Sequence, residues 1–138
     1  MTKNTTKIGI IGTGIIGLPV ANNLLKKKYN VYAYVRNKKK HSEISKKGII
    51  IKRSLAEFFR SIDILILAVS DTNDVKNILI GKNGLNKSLK TPSIVIDMST
   101  ICPIETIKIS NELSKNFWIN AIFRKKYFIF IIKYIFFT

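Results

Sequence analysis

The chain has 138 residues, enough for one domain that buries roughly two-thirds of its unfolded surface, and 46% of them are hydrophobic, which excludes a disordered chain. The single cysteine, Cys102, excludes an internal disulfide and a cysteine-based metal cluster, and it favours a reducing, cytoplasmic location. The formal charge is +16, but only four of the 24 basic residues are arginine, the side chain on which nucleic-acid surfaces usually depend. We therefore expect solvated lysines rather than a nucleic-acid or membrane surface.

Apolar runs alternate with amphipathic stretches, a pattern typical of repeated strand–helix units. In chain order, the predicted elements are a strand at Lys7–Ile11, a helix at about Ile15–Lys27, a strand at Val31–Val35, a helix at His41–Lys47 ended by Gly48, a strand at Ile49–Ile51, a helical turn at Leu55–Arg60, a strand at Ile62–Val69, a helix at Asn73–Ile80, a strand at Ser93–Asp97, a helix at Pro103–Lys115 and a strand that starts at Phe117–Ala121. The apolar run at Ile62–Val69 is typical of a central parallel strand. This order predicts the α/β class, with a doubly wound parallel sheet and helices on both faces.

The first predicted strand runs directly into a glycine-rich segment and then a helix. Gly12 predicts a tight turn, Gly14 leaves room for a phosphate near the backbone, and Gly17 lets the helix lie close to the strand. The helix N-terminus offers free N–H groups and the positive end of its dipole. The candidates for binding the pyrophosphate of a dinucleotide cofactor are therefore Gly12, Thr13, Gly14, Ile15, Ile16 and Gly17.

The residues after the second predicted strand are expected to contact the adenosine ribose. An Asp or Glu there binds the 2′-hydroxyl of NAD, whereas this sequence has Val35, Arg36 and Asn37, followed by three lysines. A carboxylate repels a 2′-phosphate, and a guanidinium pairs with it. These three residues are candidate cofactor contacts that favour NADP over NAD. The alternative for Arg36 is a solvated surface cation.

Two further loops leave the carboxyl ends of central strands, the edge at which such sheets bind ligands. Candidate cofactor contacts after the fourth strand are Ala68, Val69 and Ser70; Asp71 fits either a ligand contact or the start of the next helix. After the fifth strand, Ser99 and Thr100 are candidates for binding a substrate carboxylate or the nicotinamide amide. Ordinary turn and capping chemistry is the alternative.

Neither a nucleophile–base pair nor metal-ligand spacing emerges from the sequence, so no catalytic or metal residue is predicted. The lone histidine, His41, falls in a lysine-rich helix. We expect a solvated surface role for it.

The composition changes after Ala121. Residues 122–138 contain only Ile, Phe, Lys, Tyr, one Arg and one Thr. The segment Tyr127–Thr138 is too short for a transmembrane helix, which needs about 20 residues. A native strand is one alternative, but the residue list favours out-of-frame translation of AT-rich DNA. We predict a domain at residues 1–121, incomplete at its C-terminal end, and an aberrant apolar and basic tail at residues 122–138.

Together these motifs resemble the β-hydroxyacid dehydrogenase family, which includes 3-hydroxyisobutyrate dehydrogenase, tartronate semialdehyde (glyoxylate/succinic semialdehyde) reductase and, more distantly, 6-phosphogluconate dehydrogenase. The similarity is carried by IGIIGTGIIGLPVANNLLKK, by VYAYVRN with the arginine that marks NADP users, by DILILAVSD, and by VIDMSTICP, which is similar to the substrate motif Asp-x-Ser-Thr-x-x-Pro. The resemblance implies a Rossmann-type fold, and it implies that Ser99 and Thr100 lie beside the nicotinamide and the substrate.

The resemblance also implies an NAD(P)-dependent oxidoreductase that acts on a small β-hydroxyacid or semialdehyde. After Ala121 the family continues with Pro-Val-Ser-Gly-Gly, a Gly-x-x-x-Lys helix with the catalytic lysine, and an all-helical C-terminal domain. This sequence has Ile122-Phe123-Arg124-Lys125 instead, and no lysine matches the catalytic position. We therefore expect the C-terminal domain to be absent, and the chain to bind NADP weakly and to turn over no β-hydroxyacid by itself.

Two positions depart from the family within the similar region. Val35 replaces an asparagine, and Lys28 stands where a glycine usually ends the first helix. A residue other than glycine in a left-handed helix end costs about 1 kcal/mol.

Two other functions stay open. One is a non-catalytic binding module with a basic surface for nucleic acid or a partner, which only the charge supports; a steep loss of DNA affinity with salt would favour it. The other is a non-functional fragment of a decaying gene, which agrees with the tail. A sixth strand without its covering elements, followed by an apolar tail, also predicts self-association.

Overall fold

The computed structural model describes residues 5–88, 92–116 and 120–123, with Asn116 and residues 120–123 described by their backbone alone. The elements in this part of the chain are β1 (Lys7–Ile11), α1 (Gly17–Lys26), β2 (Asn30–Tyr34), α2 (His41–Lys46), β3 (Ile50–Lys52), α3 (Leu55–Arg60), β4 (Ile64–Leu67), α4 (Thr72–Ile80), β5 (Ile94–Asp97), α5 (Pro103–Asn116) and β6 (Asn120–Phe123). Short 3₁₀ turns lie at Lys38–Lys40 and Leu85–Lys87.

All strand pairs in the described sheet are parallel, in the order β3-β2-β1-β4-β5-β6. The chain reverses its direction of travel across the sheet between β1 and β4, which lie side by side: Gly9 of β1 is opposite Tyr32 of β2 and Leu65 of β4. Such a switch point opens a crevice at the carboxyl ends of the two strands. The predicted doubly wound α/β fold is confirmed.

Two apolar cores lie on opposite faces of the sheet because successive strand side chains point to opposite sides. On one face, Ile8 and Ile10 of β1 pack with Ala21 and Leu24 of α1. The other face holds residues of α3, α4 and α5 together with alternate residues of the central strands; its buried members are Ile11, Phe58, Phe59, Ile62, Leu65, Leu67, Val75, Leu79, Leu85, Val95, Ile109 and Leu113. The sheet is therefore covered on both sides.

The ends of the helices follow their local sequence. Lys28 ends α1 in the left-handed conformation, with φ 66°, which is the condition under which its replacement of a glycine carries a cost. The side chains of Ser54 and Asp71 accept hydrogen bonds from backbone amides in the first turns of α3 and α4. Pro103 occupies the first position of α5.

Two predictions about element boundaries were wrong. Ile15 lies outside α1 and its side chain is 95% exposed, because the chain is still leaving the glycine turn at that point. The central strand is shorter than Ile62–Val69: it ends before Val69, whose amide donates to a side chain, Ser99 Oγ, and not to a neighbouring strand.

The predicted boundary after residue 121 stays a prediction. Strand β6 continues to Phe123, so the described sheet extends two residues beyond it. The rest of the predicted tail, residues 124–138, and the predicted start of the strand at residues 117–119 lie outside the described residues.

Candidate dinucleotide site

Two glycines of the turn after β1 are required by the fold itself. Gly12 has φ 97°, a conformation that L side chains rarely adopt, and a Cβ there would collide with the carbonyl group of Ala68. A Cβ on Gly17 would collide with the carbonyl oxygen of Gly12 and would approach the Ala68 Cβ to 3.3 Å. Because neither position carries a side chain, α1 can start directly above the end of β1.

Gly14 is different, because neither its backbone conformation nor any neighbouring atom of the described structure requires a glycine there. A Cβ at this position would have no atom of the described structure within 4 Å apart from its chain neighbours. The space above Gly14 is open to solvent, and its backbone φ is not in the left-handed region. The position is therefore free to let another molecule approach the peptide backbone.

The N-terminus of α1 lies next to this open space. Its N-cap residue, Ile16, makes no side-chain cap hydrogen bond, and the first turn holds no acidic residue, in contrast with the capped starts of α3 and α4. The first amides of an α-helix have no acceptor within the helix and carry partial positive charge. In α1 the amides of Leu18 and Val20 already donate to the carbonyls of Gly14 and Ile16, at 3.1 and 3.3 Å, and Pro19 has no N–H. What this segment offers an anion is therefore the positive end of the helix dipole together with the amides of the glycine turn that precedes Leu18.

A cavity of 350 Å³ lies at the carboxyl ends of β1, β2 and β4. Among the predicted cofactor contacts, it is lined by Gly12, Thr13, Gly14, Val35, Arg36, Asn37 and Val69. The remaining predicted residues do not line it; these are Ile15, Ile16, Gly17, Ala68, Ser70, Ser99 and Thr100. The structure thus brings the loops after three strands to one crevice, at the edge where the switch point predicts it.

The loop after β2 is fixed by two hydrogen bonds, one from the first residue of α2 and one within the loop. His41 Nε2 donates to the carbonyl oxygen of Val35 at 2.8 Å, and the amide of Lys39 donates to Asn37 Oδ1 at 3.0 Å. His41 is partly exposed, and the expected surface role is incomplete, because its ring also holds the segment that carries Arg36. Sequence alone missed this because the acceptor is a backbone carbonyl outside the helix.

Arg36 lies at the mouth of the cavity, with its side chain 76% exposed, and its Nη2 is 3.1 Å from Asp74 Oδ1 on α4. Asp74 also lines the cavity, as does Lys40. The guanidinium is thus held across the crevice by a carboxylate from a different element.

Ser99 and Asp97 form a buried pair at the end of β5. The Ser99 amide donates to Asp97 Oδ1 at 2.9 Å, and Ser99 Oγ accepts from the amide of Val69 at 3.0 Å. Burial raises the pKa of Asp97 above its ordinary value of 3.8, and hydrogen bonding from Ser99 opposes that shift. Ser99 therefore holds the loop after β4 in place, and its role toward a substrate stays a prediction.

Asp71 and Thr100 lie beside these loops in different settings. Asp71 Oδ1 accepts from the amide of Asp74 at 2.9 Å, so of its two sequence interpretations the helix start is the one that the structure shows. Thr100 and Ser70 are exposed.

Several cavity residues were missed by the sequence reasoning: Ile11, Tyr34, Lys40, Leu55, Asp74, Asn77 and Ile78. The signal for three of them was available. Once Asp71 is identified as the cap of α4, the helical spacing of three to four residues places Asp74, Asn77 and Ile78 on one face. The helical spacing does not show that this face of α4 borders the crevice; the structure does.

A switch-point crevice that combines a glycine turn with an uncapped helix start defines a dinucleotide-binding domain of the Rossmann type. Comparison with known proteins agrees: a family described as "NAD binding domain of 6-phosphogluconate dehydrogenase" matches residues 7–119. The chain belongs to this family of NAD-binding oxidoreductase domains.

Relatives from two organisms illustrate the similarity. The chain is 32% identical over 106 residues to the 3-sulfolactaldehyde reductase of Escherichia coli (strain K12), covering 77% of this chain and 36% of the relative. It is 28% identical over 115 residues to a probable mitochondrial 3-hydroxyisobutyrate dehydrogenase of Dictyostelium discoideum, covering 83% of this chain and 36% of the relative. The chain thus spans little more than a third of the length of these curated relatives.

Solved structures share the fold. An imine reductase variant from Myxococcus stipitatus in complex with NAD⁺ superposes with a TM-score of 0.75 at 16% identity, over 87% of this chain and 40% of that chain. The structure titled "Psf3 in complex with NADP+ and 2-OPP" gives a TM-score of 0.72 at 21% identity, over 84% of this chain and 40% of that chain. At these identities the likeness concerns the fold alone.

Within the described residues, none of the helices has the length and apolarity that crossing a bilayer requires. Within the same residues, no three His, Cys, Asp or Glu side chains lie close enough together to hold a metal ion.

Proposed function

We propose that this chain binds NADP in preference to NAD, as the cofactor domain of an oxidoreductase that acts on a small β-hydroxyacid or semialdehyde. The substrate class rests on the printed names of the relatives, a 3-sulfolactaldehyde reductase and a probable 3-hydroxyisobutyrate dehydrogenase. The cofactor preference rests on Arg36, a guanidinium at the end of β2 where an NAD-binding site carries a carboxylate.

The observation that carries the proposal is the open space at Gly14. A glycine that no protein atom requires, next to a helix start without a side-chain cap, fits a phosphate that rests on the backbone. In this proposal Gly12, Thr13, Gly14, Ile15, Ile16 and Gly17 hold the pyrophosphate. Val35, Arg36 and Asn37 hold the adenosine ribose and its phosphate, and Ala68, Val69, Ser70 and Thr100 contact the remainder of the cofactor.

The cofactor, when bound, supplies or accepts a hydride, and the chain's own residues position it. Ser99 and Thr100 are proposed to face the substrate. Ser99 also accepts a hydrogen bond from the Val69 amide and so holds the loop after β4 in place. None of the residues is proposed as catalytic. The polypeptide of 138 residues, taken by itself, is therefore expected to bind the dinucleotide without turning over a β-hydroxyacid, since loss of a general acid or base costs about 10²–10⁴-fold in rate.

Two further proposals concern the setting of the chain. A cytoplasmic location suits the exposed free thiol of Cys102, which a reducing compartment preserves. Self-association along β6 is favoured because β6 is the last strand in the described sheet order, with β5 as its neighbour. Light scattering of the purified chain at increasing concentration tests the second proposal.

The substitution Gly14→Ala tests the proposed cofactor binding. Its methyl group enters open space, so the free energy of unfolding should change by less than about 0.5 kcal/mol, while the same methyl occupies the approach path of a phosphate. We expect the Kd for NADPH, measured by fluorescence titration, to rise at least about tenfold, equivalent to about 1.4 kcal/mol.

The matched control is Ser45→Ala, which also changes an exposed residue by few atoms but lies on α2. It should leave both the Kd and the unfolding curve unchanged. A folded wild-type chain that takes up neither NADPH nor NADH, or a Gly14→Ala variant that binds NADPH as tightly as the wild type, would contradict the proposal.

A further inference from the structure

Asp74 brings a carboxylate into the cavity from an unexpected element. It lies in the first turn of α4, more than one element away from the end of β2, and its Oδ1 is 3.1 Å from Arg36 Nη2. Its side chain is 25% exposed, against 76% for that of Arg36. The acidic partner is therefore the fixed member of the pair and the arginine the adjustable one.

The position of this carboxylate matters because NAD and NADP differ only at the ribose 2′-oxygen. Sites for NAD usually place an Asp or Glu at the end of β2, where it accepts a hydrogen bond from the 2′-hydroxyl. This chain has Arg36 at that point, but Asp74 supplies a carboxylate to the same crevice through α4. The crevice thus combines a group suited to a 2′-phosphate with a group suited to a 2′-hydroxyl.

We propose that Asp74 is a specificity-determining residue, which restrains Arg36 and lets the site accept NAD as well as NADP. This inference rests on the proposed function. With NAD bound, Arg36 keeps its ion pair and the Asp74 carboxylate is available to the ribose hydroxyl. With NADP bound, Arg36 leaves Asp74 for the 2′-phosphate, and the negative charge of Asp74 opposes that phosphate.

The test is a comparison of the Kd values for NADPH and NADH in the wild type and in Asp74→Asn. Removing the negative charge should lower the Kd for NADPH about two- to fivefold and raise the Kd for NADH, as expected for a charge pair close to the surface. Circular dichroism checks the fold of the variant, and Asp74→Ser, with the same expected direction, serves if Asp74→Asn folds poorly.

The matched control is Glu112→Gln, which removes one negative charge on α5, where Glu112 pairs with Lys115 outside the cavity. It should leave the ratio of the two Kd values unchanged. In an Arg36→Ala background, Asp74→Asn should still raise the Kd for NADH. The same substitution should no longer lower the Kd for NADPH, because the guanidinium that pairs with the 2′-phosphate is gone.

The outcomes separate this inference from the function on which it rests. If the wild type binds the two nucleotides and Asp74→Asn changes both Kd values by the same factor, the inference is wrong and the proposed function stands. If the folded wild type binds neither nucleotide, the proposed function is wrong and the inference falls with it.

Discussion

Replacing Lys28 with glycine should stabilise this fold. Lys28 is exposed and has φ 66° at the end of α1. The amides of Lys28 and Tyr29 donate to the carbonyls of Leu25 and Leu24, at 2.9 and 3.1 Å. This pair of bonds is the Schellman arrangement, in which the residue after the helix must adopt the left-handed conformation that glycine adopts most readily.

The magnitude follows from two opposing effects. The left-handed conformation costs a residue with a Cβ about 1–2 kcal/mol. Glycine gains roughly 0.5–1 kcal/mol of extra freedom in the unfolded chain, which opposes the benefit. The free energy of unfolding of Lys28→Gly should therefore rise by about 0.5–1 kcal/mol, which corresponds to a rise in Tm of about 2–5 °C for a chain of this size.

Urea unfolding of four proteins provides the measurement: the wild type, Lys28→Gly, Lys28→Ala and Lys27→Gly. Alanine retains the Cβ, so Lys28→Ala should be as stable as the wild type. Lys27 has φ −83°, so glycine there brings no relief and should destabilise by about 0.5–1 kcal/mol. If Lys28→Gly is no more stable than Lys28→Ala, the Cβ is not the source of strain and the reasoning is refuted.

Two more predictions concern the buried pair at the end of β5. Ser99→Ala removes the acceptor of the Val69 amide and should lower the free energy of unfolding by about 1–3 kcal/mol. The control Ser93→Ala removes an exposed hydrogen bond and should lower it by less than about 0.5 kcal/mol. Equal losses of the two variants in urea unfolding would contradict the role assigned to Ser99. Because burial raises the pKa of Asp97, the folded chain holds that proton more tightly than the unfolded chain, so this residue's contribution to stability should fall as the pH rises from about 4 through the raised pKa. Urea unfolding at pH 4 and pH 7 should therefore show the wild type losing stability relative to Asp97→Asn at the higher pH, and a difference independent of pH would refute this.

Features fixed within a few residues of chain could be predicted from the sequence. Several features depend on backbone geometry at a single position. These are the tight turn at Gly12, the close helix packing at Gly17, the end of α1 at Lys28 and the start of α5 at Pro103. The parallel sheet followed from the spacing of apolar runs, because a strand and a helix bury side chains with different periods. Part of the crevice lining after β1 and β2 was also predicted, from its position directly after a strand, whereas Ile11, Tyr34 and Lys40 were not.

The contacts that give the crevice its chemistry depended on the tertiary structure. Arg36 meets Asp74 across 38 residues of sequence, and Ser99 meets the Val69 amide across 30. His41 reaches the Val35 carbonyl only because a 3₁₀ turn folds the intervening lysines back. Sequence periodicity specifies which face of an element is buried, but it does not specify which side chain of another element lies opposite. The packing of the helices on the twisted sheet decides it, and here that packing places the Asp74 carboxylate next to Arg36, on which the proposed preference for NADP depends.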